Sequence, residues 1–363
     1  MAGRHGAVEN MVNKDFWKCK RVFLTGHTGF KGSWMCRVLL LLGADVTGYS
    51  LDAPTTPNLY SMAGLEGNVR SIIGDIRDFG KLRRSVETAS PDIVIHMAAQ
   101  PIVRESYAAP RYTYETNVMG TVNILESIRS VHGRGQCILN VTTDKVYKNN
   151  EWCWGYRETD ALDGYDPYSN SKSCSELVTD SYRNSFFHNS AAVSTARAGN
   201  VIGGGDFAAD RIIPDCVRAA LKNEPIIVRN PNSTRPYQHV LEPLAAYLTI
   251  LEKQYQNPQK YSGSYNIGPD ECDCVTTGEL AEIFCQEWGG GLRWESLDAC
   301  GPHEANFLKL DCSKAKSVLG WRPKWHIRDA VRKTCEWTKE WQNGGDAAKI
   351  MDSQINEYFT QRV

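Results

Sequence analysis

A chain of 363 residues is long enough for one large domain or two closely joined ones. Its 42% hydrophobic content excludes intrinsic disorder. With 41 basic against 42 acidic side chains, a formal net charge of -1 and no long run of either sign, it also excludes nucleic acid as a general partner, while a few placed arginines could still hold a small anion.

The twelve cysteines are scattered, form no Cys-x-x-Cys and have no histidine cluster beside them. They read as reduced thiols of a cytoplasmic protein, with no metal site. Met1 to Lys20 is polar and charged, so it is not a signal peptide, and residues 1–12 read as a loose N-terminal extension. The longest apolar run, around Val38 to Leu42, is far too short to span a bilayer, and no membrane partner is expected.

In chain order, short β-branched runs predict strands at Arg21–Thr25, Asp45–Ser50, Val69–Gly74, Asp92–Ala98, Cys137–Thr142 and Val193–Ala198. Between them lie helix-length segments at Phe30–Leu42, Asp78–Thr88, Tyr112–Val131 and Pro167–Phe187. This alternation predicts an α/β fold, a Rossmann-type doubly wound parallel sheet over residues 13–199. Past Asn200 the regularity weakens. A loop at Gly203–Asp206, a helix at Ile212–Lys222, a short strand at Glu224–Arg229, a helix at Glu242–Lys253 and a return to the sheet at Ser264–Gly268 fit a smaller mixed α/β C-terminal substrate lobe over 200–363. Residues near 239–268 come back to the first domain.

Thr25-Gly26-His27-Thr28-Gly29-Phe30-Lys31-Gly32 follows the first strand and opens the first helix. Glycines there allow a tight turn, close approach of backbone to a pyrophosphate, and close packing of helix on strand, while the helix N-terminus supplies unpaired N–H donors. Strand, triplet and helix in that order predict dinucleotide binding. His27 within the turn is expected to contribute backbone rather than imidazole. The second strand ends near Ser50, with Asp52 beyond it, and no Arg or Lys lies between Asp45 and Asn68 to receive a 2′-phosphate, which favours NAD. Asp75-Ile76 and Ala98-Ala99-Gln100 sit at carboxyl ends of strands, where ligands of such sheets bind; Asp75 fits a helix cap equally well. His96 ends an apolar strand and reads as a packed, hydrogen-bonded residue.

Tyr168-Ser169-Asn170-Ser171-Lys172 puts a phenol and an amine on one face of a helix, and a nearby ammonium favours the phenolate, so Tyr168 is a candidate base near neutral pH. Thr142-Thr143-Asp144-Lys145 adds an acid and an amine that simple alcohol oxidation does not need. On its own that pair also fits a structural ion pair.

The glycine turn, Asp75-Ile76, His96-Met97-Ala98-Ala99-Gln100, Asn117-Val118-x-Gly120-Thr121 and Tyr168-x-x-x-Lys172 together resemble the extended short-chain dehydrogenase/reductase superfamily. Within it, Thr143-Asp144-Lys145-Val146-Tyr147 looks like the nucleotide-sugar 4,6-dehydratases. Trp152-x-Trp154-Gly155-Tyr156-Arg157-Glu158 and Leu310-Asp311-x-Ser313-Lys314-Ala315 look like the branch acting on CDP-glucose.

The resemblance implies catalytic Thr143, Asp144, Lys145, Tyr168 and Lys172. It implies an NAD site from Gly26, Thr28, Gly29, Phe30, Lys31, Gly32, Ser50, Asp75, Ile76, Ala98, Ala99, Gln100, Asn117, Thr142, Tyr168 and Lys172. CDP-glucose or a related nucleotide sugar would be held by Arg104, Asn200, Arg211, Arg235 and His303. Arg211 fits a surface salt bridge as well, and the tryptophans of Glu151–Glu158 fit either the pocket or loop packing. Related dTDP-glucose enzymes have Asp-Glu where this chain has Asp144-Lys145; a lysine base must be neutral and an aspartic acid protonated, which a closed, dry site could favour. The resemblance further implies a homodimer, or dimer of dimers, through helices 112–131 and 167–187.

Overall fold

In the computed structural model, residues 12–131, 136–188, 190–296 and 307–360 are described. Seven strands form one sheet: β1 (Arg21–Thr25), β2 (Asp45–Ser50), β3 (Arg70–Ile73), β4 (Ile93–His96), β5 (Gln136–Thr143), β6 (Ala191–Ala198) and β7 (Gly263–Ile267). Their order is β7-β6-β5-β4-β1-β2-β3, and every neighbouring pair is parallel. The order reverses between β1 and β4, so a crevice opens beyond their carboxyl ends, where doubly wound sheets bind ligands.

The main helices are α1 (Phe30–Leu41), α2 (Phe79–Ala89), α3 (Gly120–Ser130), α4 (Pro167–Tyr182), α5 (Ile212–Lys222), α6 (Leu241–Gln256), α7 (Thr277–Trp288), α8 (Ile327–Gln342) and α9 (Ala347–Thr360). Buried strands need apolar partners on both faces. On one face α1 and α6 supply them, through residues such as Trp34, Val38, Leu244 and Leu248. On the other face α2 and α3 pack Leu82, Val86, Ile124 and Ile128 against Phe23, Val94 and Ile138. A second core joins α5, α7 and α8 around Ile213, Val228, Phe284 and Val331.

All eight predicted strands and four of the helix assignments recur, with ends moved by a few residues. Two long helices are interrupted instead. Over Tyr112–Val131 the chain forms Pro110–Tyr114, a π-helical turn at Glu115–Met119, and then α3. Pro167–Phe187 likewise becomes α4 followed by a π turn at Arg183–Phe187. One extra residue per turn re-aims the side chains, a device common at functional sites. Helices α7, α8 and α9 had no counterpart in the sequence reading. No helix among the described residues is long and apolar enough to cross a membrane.

The C-terminal helices are tied to the sheet layer by Glu242, a fully buried carboxylate on α6. It accepts from the backbone N–H groups of Lys324 (3.0 Å) and Trp325 (2.8 Å) and from the Tyr358 hydroxyl (2.7 Å). Burial pushes Glu242 up to about 7, although these donors work against the shift. A carboxyl raised above its unfolded value stabilises the fold below that unfolded value, and the contribution is lost as pH rises through about 7. Glu242→Gln is therefore expected to flatten the decline in stability between about pH 5 and about pH 7 by up to ~3 kcal/mol. Urea midpoints of both proteins across that range give the comparison, with Glu252, also raised to about 7 by burial, supplying a residual slope in each.

Candidate active site

The glycine turn closes under tight steric limits. Gly26 has φ +79°, and a Cβ there would meet the Ala98 nitrogen at 2.8 Å. A Cβ on Gly32 would lie 2.1 Å from the Gly26 carbonyl oxygen. Thr25 Oγ1 holds the ends of β1 and β4 together, accepting from the N–H groups of Met97 (3.0 Å) and Ala98 (3.1 Å) and pairing with His96 Nδ1 (2.8 Å). Helix α1 starts at Phe30 without a side-chain cap, so its first N–H groups remain available to an anion. These features fit a dinucleotide pyrophosphate.

His27 turns away from that cradle. Its ring sits over Gly48, where a Cβ would approach within 2.3 Å, and Nε2 pairs with Ser71 Oγ at 2.8 Å. Burial pushes it down to about 4, so the ring is neutral packing between strands. His96 is likewise buried and neutral, pushed to about 3 by burial and by the Lys172 charge.

A cleft of about 1600 Å³ runs from the glycine turn across the carboxyl ends of the strands to the C-terminal lobe. Gly26, Thr28, Gly29, Phe30, Lys31, Gly32, Ser50, Asp75, Ile76, Ala98, Ala99 and Gln100 all line it. Ser50 Oγ is bonded to Thr28 Oγ1 at 2.8 Å. Asp75 does not cap α2; Asp78 does, accepting from Lys81 N–H. The Asp75 carboxylate is gripped by Arg77, whose hydrogen bonds hold it below the usual carboxylate range. Asn117, projected by the π turn, accepts from Gln100 N–H (2.8 Å) and donates to Gln100 O (3.1 Å) and Ser171 Oγ (2.9 Å). It braces the wall from behind, and no atom of it faces the cleft.

At the end of β5, Thr143 Oγ1 donates to Asp144 Oδ1 at 2.9 Å. The same oxygen takes Lys145 Nζ at 3.3 Å, and that ammonium also donates to Asn200 Oδ1 at 3.2 Å. Asp144 is completely buried, and its Oδ2 has no hydrogen-bond partner among the described residues. Tyr168, Lys172, Thr143 and Lys145 line the same stretch of cleft. Thr142 lines it too, but its hydroxyl is committed inward, to Glu176 Oε1.

The electrostatics differ from the sequence expectation at Tyr168. Burial pushes the phenol up to about 12; a hydrogen bond with Thr143 and the charge of Arg211 lower it, while Asp144 and Asp166 raise it further. Lys172 Nζ donates to the Val141 carbonyl at 3.2 Å, and burial brings this lysine down to about 8 against the opposing charge of Glu176. Desolvation thus outweighs the groups that favour the phenolate, and these are Thr143 and Arg211 rather than Lys172. Lys31, beside the Tyr247 hydroxyl at 3.5 Å, is pushed down to about 7 by burial and by the charges of Arg211 and Lys172.

Of the arginines, Arg104 pairs with Asp210 at 3.7 Å and Arg211 with Asp206 at 3.0 Å, and both line the cleft. Arg211 therefore satisfies both readings, ion pair and cleft wall. Arg235 is buried along the same wall. His303 lies outside the described residues. Trp152 stacks on Tyr156 with ring centroids 5.2 Å apart, beside Leu308 and Leu310, and Trp154 is 69% exposed. Neither tryptophan lines the cleft, although Glu151 at the start of the segment does; Trp152 serves loop packing and Trp154 faces solvent.

Sequence reasoning missed Arg229, a cleft residue paired with Asp210 (3.1 Å) and Asp215 (3.6 Å), and the buried pair Glu176–Arg197. For Glu176 a signal existed: it continues Tyr168-x-x-x-Lys172 by one more helical turn. Cys272, Asp273 and His326 lie close enough together to hold a cation, but Asp273 is already used: it accepts from His326 Nδ1 (2.8 Å) and from Ile327 N–H at the start of α8 (3.0 Å).

The reversed parallel sheet, the glycine turn and the Tyr-x-x-x-Lys helix define a short-chain dehydrogenase/reductase with an added acid–amine pair. The chain belongs to the GDP-mannose 4,6 dehydratase family, whose sequence profile matches residues 23–334. It is 48% identical over 356 residues to CDP-glucose 4,6-dehydratase of Salmonella typhimurium, covering 96% of this chain and 99% of that protein. A solved dTDP-glucose 4,6-dehydratase from Streptomyces venezuelae, with NAD and TYD bound, aligns at TM-score 0.76 and 25% identity over 90% of this chain and 99% of that one. A UDP-glucose-4-epimerase from Stenotrophomonas maltophila aligns at TM-score 0.79 over 90% of this chain and 100% of that one; at 20% identity it shares the fold.

Gly32→Ala should weaken NAD binding at least tenfold, because the added methyl displaces the turn that faces the pyrophosphate. Titration of tryptophan fluorescence with NAD measures the loss.

Proposed function

We propose that this protein is an NAD-dependent nucleotide-sugar 4,6-dehydratase that converts CDP-glucose to CDP-4-keto-6-deoxyglucose. The observation that carries the reading is the Asp144–Lys145 pair: Lys145 lines a dinucleotide-type cleft beside Tyr168 and Thr143, and Asp144 is buried directly behind it. The extensive identity to a CDP-glucose 4,6-dehydratase supports the choice of nucleotide.

NAD, which the glycine turn and the carboxyl ends of the strands would hold, would supply a hydride acceptor for C4 and a hydride donor for C6. Tyr168 removes the C4 hydroxyl proton, and Thr143 hydrogen-bonds the same oxygen. The resulting C4 ketone acidifies the C5 proton, which is why oxidation precedes elimination. Lys145 then takes the C5 proton while Asp144 protonates the C6 hydroxyl, which departs as water. Both residues must be neutral at that moment. One proton shifted along the 3.3 Å Lys145–Asp144 contact makes an amine and a carboxylic acid together. Lys145 finally returns a proton to C5, leaving a 4-keto-6-deoxy sugar and no net redox change.

Arg104, Asn200, Arg211 and Arg235 are assigned to the diphosphate and nucleotide, since guanidinium forks match phosphate oxygens. With its Oδ1 occupied by Lys145, Asn200 has its amide N–H₂ to offer the substrate. The reaction is assigned to the cytoplasm, in keeping with eleven described cysteines that are all free thiols. A homodimer is proposed through the exposed apolar side chains of Tyr114, Met119, Leu177 and Phe186, on the two interrupted helices.

Incubation with CDP-, dTDP-, UDP- and GDP-glucose in parallel tests the reading: the 4-keto chromophore in alkali should appear first with CDP-glucose. Lys145→Ala should keep the fold, block release of C5 deuterium into water and lower kcat by about a thousandfold or more; unchanged exchange removes Lys145 from the chemistry. Met119→Glu combined with Leu177→Glu should shift the sedimenting species from dimer to monomer, since charges in an apolar contact are costly to desolvate.

A further inference from the structure

Helix α4 carries three functional groups one turn apart, Tyr168, Lys172 and Glu176. The first two line the cleft; the third lies beneath it, 2% exposed. Its carboxylate is surrounded by donors from three strands. Oε1 accepts from Thr142 Oγ1 of β5, and Oε2 accepts from Thr195 Oγ1 (2.8 Å) and Arg197 Nη2 (2.8 Å) of β6 and from Ser264 Oγ (3.5 Å) of β7.

Arg197 is itself buried and extends the network. Its Nη1 donates to the Tyr147 hydroxyl (2.8 Å) and to the Glu158 carbonyl (3.1 Å), and Tyr147 donates to Asn266 Oδ1 (2.6 Å). Burial works against the guanidinium charge, but Glu176 and Tyr147 more than offset it. Removing one partner of such a pair leaves an uncompensated buried charge.

We propose that Glu176 is a positioning residue for C4 oxidation: held by Arg197, its carboxylate lies one helical turn beyond Lys172 on the buried face of α4 and pins that helix to the end of β5 through Thr142. The Lys172 ammonium sits where few charges favour it. Tyr168 precedes it on the same helix, His96 faces it from β4 as a neutral ring, and the Lys31 cation faces it from α1. On the β5 side it meets only the Val141 carbonyl. Arg211 and Asp144 act on Lys31 and Tyr168 from across the cleft. Glu176 is the carboxylate whose field bears on Lys172 directly. Through Thr142, the same side chain holds the residue that precedes Thr143, so it fixes both the oxidation and the elimination groups to one frame.

The inference rests on the dehydratase reading of Tyr168 and Lys172, and its test separates the two. In the full-length protein, NAD affinity (by tryptophan quenching) and kcat/KM with CDP-glucose are measured from about pH 6 to about pH 9, for wild type and Glu176→Gln. With the carboxylate gone, Lys172 loses its proton earlier, so the alkaline limb of both profiles should move to lower pH by about one unit. A purely structural role would lower the melting temperature and leave that limb in place, which overturns the proposal. Should Glu176→Gln fail to fold because Arg197 is left unpaired, Glu176→Gln/Arg197→Gln buries no lone charge and should show the same shift at smaller size; an unmoved limb there overturns it equally. A wild-type protein that binds NAD with the expected shift on substitution but forms no 4-keto sugar would support the role of Glu176 and remove the dehydratase reading.

Discussion

The site depends on a helix that is buried through polar side chains. The covered face of α4 carries Ser169, Ser171, Lys172, Ser173, Ser175, Glu176 and Thr179 rather than leucines or valines. Apolar packing would tolerate sliding, since it has no direction. Here each group has a partner: Ser175 Oγ meets Thr121 Oγ1 (2.8 Å) and Asn140 Nδ2 (3.0 Å), Asn140 also reaches Thr179 (2.8 Å), and Ser173 Oγ donates to Val146 O (2.7 Å). A shift of one residue would strand several buried donors at about 1–3 kcal/mol each. The small side chains also let the helix lie close to β5. The register of Tyr168 and Lys172 against Thr143, Asp144 and Lys145 is thereby fixed before any ligand arrives.

That framework holds a cleft crowded with cations. Burial, with the charges of Arg211 and Lys172 added to it, pushes Lys31 down to about 7, and Asp144 provides the opposing charge nearby. Such a site is unfavourable by itself and favourable to an anion, because a diphosphate relieves repulsion that the fold already imposes. Specificity for phosphate-bearing ligands then follows from the same burial that makes Tyr168 a reluctant acid.

Much of this was legible in the sequence. The parallel sheet was readable because β1 to β6 are β-branched runs divided by helix-length segments, and the glycine turn because only glycine fits at Gly26 and Gly32. Tyr168, Lys172 and the Asp144–Lys145 pair were readable from spacing. Four things were not. The π turn at Glu115–Met119 leaves no apolar periodicity to find, and it alone aims Asn117 at Gln100. Asp75 looked like a cap because Asp78, the true cap, lies three residues on. The tryptophan segment resembled a pocket wall because aromatic residues serve packing and binding equally. Glu176 was hidden for the opposite reason: its partners Thr142, Thr195, Arg197 and Ser264 come from three strands far apart in sequence.

The fold by itself does not separate oxidation followed by return from oxidation followed by elimination. A UDP-glucose-4-epimerase shares the fold at 20% identity, and a reaction that only oxidises C4 and reduces it again calls for no added acid–amine pair. An enzyme that eliminates across C5 and C6 needs a base and an acid on the far side of the same ring, and these must not quench each other permanently. Adjacent residues at a strand end meet that demand. Asp144 turns inward, wholly enclosed, while Lys145 stays partly open to the cleft with Asn200 as a second acceptor. Because Asn200 can accept from the ammonium yet leaves it able to donate a proton to Asp144, the pair has both an ionic and a neutral arrangement within one geometry. A glutamate in place of Lys145 would present two carboxyls and require them to hold different protonation states. With lysine in the proposed base position, a single proton transfer along the Lys145–Asp144 contact would supply both of the proposed neutral groups.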